Sequence, residues 1–136
     1  MTKAIPTIQK YMTTTPHSVG QEQPLSVAHR MMADHDIRHL PVLEAGRLVG
    51  MVTDRDLRFI ESFKDADPAR LKVEDAMTTS VYSTTPDAPL DAVCDTMAEN
   101  KFGSAVILSN GKVVGIFTTV DACRALSSLL HGRLAK

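Results

Sequence analysis

Tryptophan is absent from this chain, cysteine occurs only twice, and aromatic residues make up 4% of it. Its core must therefore be built from aliphatic side chains and methionine, which an apolar content of 43% allows. Neither sign of charge is in excess, since 15 Lys and Arg face 16 Asp and Glu. No basic face or tail is visible to hold a polyanion, so nucleic acid is not an expected partner. No apolar run approaches the ~20 residues of a membrane-spanning helix. Met1-Thr2-Lys3-Ala4-Ile5-Pro6 also lacks the apolar stretch of a secretory signal. The expectations are no membrane partner and a cytoplasmic protein. Cys94 and Cys123 occupy non-equivalent places in two helical patterns, which favours reduced, buried thiols over a disulfide. Glycine-rich phosphate loops, nucleophile elbows and Cys-x-x-Cys pairs are missing, so an enzyme is not expected. His29, His35 and His39 are close in sequence, but their spacing spans a helix end and fits no familiar metal pattern; no metal is expected.

What the chain does contain is a repeat. Met12-Thr13-Thr14 recurs as Met77-Thr78-Thr79, 65 positions on, and the same offset carries Pro24-Leu25 onto Pro89-Leu90, Met32-Ala33 onto Met97-Ala98 and Val49-Gly50 onto Val114-Gly115. A fixed register over this distance means one supersecondary unit used twice, 7–63 and 73–130, joined by a polar connector at 64–72 that contains Asp67-Pro68. Each copy alone is small for a core, so the halves are expected to bury apolar faces against each other in one compact domain.

Within a copy, Thr7 is a plausible cap for a short helix through Ile8 and Met12, broken by Thr13 to Thr15 and Pro16. His17-Ser18-Val19, and Val81 to Thr84 in the second copy, read as brief strands. Pro24 and Pro89 suit the first turn of helices whose Leu25, Ala28, Met31 and Met32, or Leu90, Val93 and Met97, form a core-facing stripe. Two hairpins follow, around Glu44-Ala45-Gly46-Arg47 and Ser109-Asn110-Gly111-Lys112, with strands apolar on both faces. The closing helices run from about Asp54 to Phe63 and from Thr119 to Leu130, with Leu57, Ile60 and Phe63, and Cys123, Leu126 and Leu130, at helical spacing; Gly132 and the basic end read as a frayed terminus. Leu129-Leu130 and Phe59 to Phe63 are either core or apolar contact surface.

The stretch around which both copies are organised is Gly50-Met51-Val52-Thr53-Asp54-Arg55-Asp56, matched by Gly115-Ile116-Phe117-Thr118-Thr119-Val120-Asp121. A strand that turns directly into a helix leaves backbone N–H groups that favour an anion. Thr53 and Thr118 place a hydroxyl at that opening, and Asp56 and Asp121 can each accept two hydrogen bonds from a vicinal diol. A ribose with its phosphate carries those groups. Thr-x-x-Asp is equally a capping box, in which both side chains satisfy backbone and nothing is bound. Both readings stand at this point.

The element order, the Met-Thr opening, Leu40-Pro41-Val42 after Arg38-His39, and the repeated Gly-x-x-Thr-x-x-Asp turn resemble the cystathionine beta-synthase (CBS) domain, from about Thr7 to Leu130. The resemblance implies an α/β fold of two tandem CBS repeats (short helix, strand, helix, strand, strand, helix) related by a pseudo-two-fold axis in one compact module, known as a Bateman module. It implies a stand-alone, non-catalytic regulatory sensor that binds an adenine nucleotide of the AMP, ADP or ATP type in the inter-repeat cleft, with NAD or S-adenosylmethionine as alternatives. No other cofactor is implied. A homodimer follows from the same resemblance, as does an unidentified regulated protein; a ligand-free interaction or dimerisation module is the competing reading. By position, Asp56 and Asp121 would hold ribose with Thr53 and Thr118 beside them. The backbone of Ser18-Val19 and Ser83-Thr84 would meet the base, and Arg38, His39 and Arg55 would face phosphate. Arg38 and Arg55 are otherwise solvated surface, and His39 a packing histidine. The second copy has Gly103, Ser104 and Val120 in place of the three basic residues, so one good site and one weak or vestigial site are expected.

Overall fold

The computed structural model describes residues 4–14 and 17–134, with side chains described through 132. The break expected at Thr15 and Pro16 lies outside the described residues, as does the end of the chain beyond 134. A 3₁₀ turn, Ile8–Lys10, leads to β1 (Thr13–Thr14), β2 (Val19–Gly20), α1 (Leu25–His35), β3 (His39–Glu44), β4 (Arg47–Thr53) and α2 (Asp54–Glu61). The second copy supplies α3 (Val73–Ala76), β5 (Ser83–Thr84), α4 (Leu90–Asn100), β6 (Ser104–Ser109), β7 (Lys112–Thr118) and α5 (Thr119–Leu134). The chain is thus α/β; the second repeat has the expected order of elements, and the first adds a two-residue strand, β1, where the sequence suggested only a break. No helix among the described residues is long and apolar enough to cross a membrane.

Two compact units result, and they are offset from the sequence repeats. One comprises His17–Val81; the other joins Met1–Pro16 to Tyr82–Lys136. Each repeat therefore gives its opening segment to the unit that holds the body of the other repeat. The exchange is equivalent bond for bond. In the second unit Ile8 N–H donates to Ala88 C=O (2.8 Å) and Leu90 N–H to Pro6 C=O (2.9 Å). In the first unit Val73 N–H donates to Gln23 C=O (2.8 Å) and Leu25 N–H to Leu71 C=O (2.9 Å).

The first unit has the sheet order β2-β3-β4, with β2 parallel and β4 antiparallel to β3. The second has β1-β7-β6-β5, with β5 parallel to β6 and β1 antiparallel to β7. The counterpart of β1 in the first unit is a single bridge between Met51 and Thr78. Both hairpins close on two residues with positive φ, Ala45-Gly46 and Asn110-Gly111, the backbone that matches strand twist. Both carry a bulge at the same offset, after Val42 and after Ile107. A Cβ on Gly50 would meet the carbonyl oxygen of Thr78 at 2.9 Å, and one on Gly115 that of Thr13 at 3.0 Å. The repeated glycine is therefore required by the close approach of the exchanged segment.

Each unit closes a hydrophobic core of its own. Val19, Leu25, Leu40, Val42, Val52, Leu57 and Val73 are buried together in the first, and Ile8, Leu90, Val93, Ile107, Phe117 and Ala125 in the second. Met32 and Met97 are buried in these cores, as their helical spacing requires. Other expectations need correction. Thr7 makes no side-chain cap, because its turn is instead tied by backbone bonds such as Ile8 N–H to Ala88 C=O. Pro24 and Pro89 precede their helices as extended caps rather than entering the first turn. α2 stops at Glu61, where Ser62 Oγ bonds the Phe59 carbonyl, and Phe63 is exposed. α5 continues through Gly132 to Leu134, so Gly132 does not terminate it. It packs through Ala125, which leaves Leu126, Leu129, Leu130 and Cys123 exposed. Both cysteines are free, but only Cys94 is even partly buried.

Candidate functional site

The turn of the first unit is built by β4 and α2. Thr53 caps α2: its Oγ1 accepts from Asp56 N–H at 3.1 Å, while Asp56 Oδ2 accepts from Thr53 N–H at 2.9 Å. The capping box foreseen as one reading is present. It uses one carboxylate oxygen. Asp56 Oδ1 has no hydrogen-bond partner among the described residues, and because no buried side-chain oxygen there is left unpaired, it reaches solvent. Capping and ligand binding are thus compatible at Asp56.

The fold brings the other expected residues of the first copy toward the same end of the sheet. His39 stands opposite Thr53 across the β3–β4 ladder. Arg38 is exposed, and its carbonyl accepts from Asp54 N–H at 3.1 Å, which ties the start of β3 to the first turn of α2. Arg55 is exposed in that turn. β2 runs parallel to β3 with Val19 beside Val42, so Ser18 and Val19 lie toward the same end of the sheet. Val19 is 2% exposed and part of the core, so only its backbone is available to a ligand.

The turn of the second unit has the same frame and a different state. Asp121 is 4% exposed, the one buried charged or polar residue among those described. Its Oδ2 accepts from Thr118 N–H at 2.9 Å and from Thr118 Oγ1 at 3.3 Å, and Thr118 Oγ1 accepts from Asp121 N–H at 3.3 Å. Its Oδ1 accepts from Thr13 Oγ1 at 2.9 Å. Both oxygens are engaged. Ser104 stands opposite Thr118, Gly103 C=O accepts from Thr119 N–H at 3.3 Å, and Ser83 and Thr84 pair beside Val106 and Ile107. Thr13 was not among the residues singled out from sequence. Its recurrence as Thr78 was the available signal, but its partner depends on which unit the opening segment joins.

A cavity of about 410 Å³ lies beside this second turn, lined by Cys94, Met97, Ala98, Lys101, Phe102, Gly103, Thr119 and Ala122. Its wall follows from small residues: Ala122 and Gly103 stand where the first copy has Leu57 and Arg38. Burial, with Asp95 and Asp91 nearby, pushes the Cys94 thiol up, so it is neutral at pH 7 and an apolar part of that wall. No group of three or more His, Cys, Asp and Glu side chains among the described residues is placed to hold a metal ion. The histidines disperse instead: His29 Nε2 lies 2.6 Å from Glu61 Oε1, and His35 stacks on His17 with ring centroids 3.7 Å apart.

Comparison with known proteins fits this duplicated frame. The profile of the CBS domain matches twice, over residues 8–61 and 73–128. The CBS domain-containing protein YhcV of Bacillus subtilis is 29% identical over 114 residues, which cover 84% of this chain and 81% of YhcV. Among solved structures, AcuB of Vibrio cholerae superposes with a TM-score of 0.84 at 27% identity, covering 98% of each chain. The CBS domain pair of protein MJ0100, solved with 5-methylthioadenosine and S-adenosyl-L-methionine, superposes with a TM-score of 0.80 at 23% identity, covering 92% of this chain and 98% of that one.

Proposed function

The chain belongs to the CBS domain family, and from that premise we propose that it is a non-catalytic regulatory module whose first-unit turn binds an adenosine-containing nucleotide. The observation that carries this reading is Asp56: its Oδ2 holds the helix cap while its Oδ1 remains open to solvent. A ribose diol donates to the open side of that carboxylate. Arg38 and Arg55 supply cations for phosphate at the N-terminal end of α2, where the helix dipole adds to the attraction. His39 adjoins Thr53, and the backbone at Ser18 and Val19 offers hydrogen bonds to a base. The adenosine-containing ligands of the MJ0100 pair support the ligand class, and AMP, ADP or ATP matches the cations best.

The test is thermal unfolding with AMP, ADP, ATP, NAD and S-adenosylmethionine, each in large excess. A ligand at ~100 times its dissociation constant stabilises the native state by about 2.7 kcal/mol. A raised melting temperature with at least one of the five is expected; none with any of them sinks the reading. A second reading, a protein-interaction or homodimerisation module, is favoured by exposed Phe59 on the site's own helix with Phe63 just beyond its end, and by Leu126, Leu129 and Leu130 on α5. A regulated partner protein would dock there, and the two readings are separable because only the first requires Asp56.

A further inference from the structure

The two turns share a frame, yet only one presents a carboxylate oxygen to solvent, and the difference is traceable to one hydroxyl. Thr13 and Thr78 are equivalent by sequence offset and by structure: Thr13 pairs with Ile116 on β7, and Thr78 bridges Met51, the residue matching Ile116. Thr13 Oγ1 donates to Asp121 Oδ1 at 2.9 Å. Thr78 makes only backbone bonds to Met51, and its side chain makes none to Asp56. The residues flanking the two carboxylates differ as well. Beside the first turn stand Arg38 and His39 at the start of β3, with Arg55 in the turn itself, whereas the second copy has Gly103, Ser104 and Val120 at those places. A carboxylate that is 4% exposed must be matched by hydrogen-bond donors. With no cation at those positions, Asp121 is matched by Thr118 on one oxygen and Thr13 on the other.

We propose that Thr13 is the residue that decides site number in this chain: its hydroxyl takes the place on Asp121 that a ribose hydroxyl would need, so the second turn is closed and the module binds one adenosine-type ligand rather than two. A vicinal diol must place two hydroxyls on one carboxylate, and at Asp121 both oxygens are already occupied and shielded. Removing the Thr13 hydroxyl leaves Oδ1 unpaired next to solvent-exposed β1, and an entering diol then restores the lost bond. This inference rests on the nucleotide reading of the first turn, and its consequences can be separated from it.

The experiment is equilibrium dialysis with adenosine, whose diol is the group in question, and with AMP, on the unaltered chain, Thr13→Ala, Thr13→Ser and Asp56→Asn. One equivalent is expected for the unaltered chain and for Thr13→Ser, which keeps the hydroxyl; two are expected for Thr13→Ala. Should alanine loosen β1, Thr13→Val preserves the strand and removes the same hydroxyl. Without ligand, Thr13→Ala should melt below Thr78→Ala, since only Thr13 bonds a carboxylate; equal melting temperatures overturn the proposal. Two equivalents on the unaltered chain also overturn it, as does a single equivalent in Thr13→Ala that is lost with Asp56→Asn, and both leave the nucleotide reading standing. No binding to any form sinks that reading and this inference together.

Discussion

The two units use one backbone frame but place their bulk differently. In the first, Val52 on the strand faces Leu57 and Ile60 from the helix; in the second, Phe117 takes the strand position and Ala122 and Ala125 the helix positions. Volume is moved from helix to strand while the frame is kept, which is how a duplicated core drifts without losing density. The exchange is incomplete: a cavity lies beside Ala122, and Phe117 is not among its lining residues. The same divergence separates the turns. The first copy has cations and an open carboxylate; the second has no cation at those positions and a carboxylate closed by neutral donors.

The comparison breaks most sharply at the strand position. Phe117→Ala should cost about 3–5 kcal/mol, against roughly 1.5 kcal/mol for Val52→Ala at ~0.8 kcal/mol per buried methylene. Urea unfolding of the two variants measures the difference, and similar costs would mean that the cores are not divided as described. Gly115→Ala and Gly50→Ala should each cost ~1–3 kcal/mol, because the added Cβ runs into the backbone of the exchanged segment. Loss of amide protection at Thr13 and Thr78 respectively, followed by hydrogen exchange, would locate the damage.

Smaller effects sharpen the contrast between the turns. Asp121→Asn should destabilise by about 1–3 kcal/mol, since Asp121 uses both carboxylate oxygens as acceptors at a residue only 4% exposed and the amide keeps one acceptor there. Asp56→Asn should be nearly neutral, because the amide oxygen can keep the cap while its nitrogen faces water. Equal losses in thermal unfolding would contradict the distinction between a closed and an open carboxylate. Ala122→Leu restores the residue type of the first copy and should stabilise by about 1 kcal/mol through added apolar burial in the cavity; a lower melting temperature would show that the hollow cannot take a leucine.

Much of this architecture is legible without coordinates. The constant offset reveals the duplication, Asn110-Gly111 marks a hairpin that Ala45-Gly46 repeats, and Thr-x-x-Asp places both helix starts. A period shows that two segments are alike, but it does not say which copy Ile8 or Val73 will close, and both are chemically suited to either core. That ambiguity hid Thr13 as the partner of Asp121. Alternation and spacing also fail at α5, where Cys123, Leu126 and Leu130 form a stripe resembling a core face, yet small Ala125 is the residue turned inward. Likewise, the chemistry of Thr53 and Asp56 could be read as cap or ligand contact from residue types alone; separating the two oxygens of Asp56 required geometry.

The most direct test of the account is a calorimetric titration of AMP into the unaltered chain, Asp56→Asn and Asp121→Asn at matched concentrations. Binding that is lost in Asp56→Asn and kept in Asp121→Asn is the predicted result. Binding that survives Asp56→Asn and disappears in Asp121→Asn would contradict the central claim and move the nucleotide to the second turn.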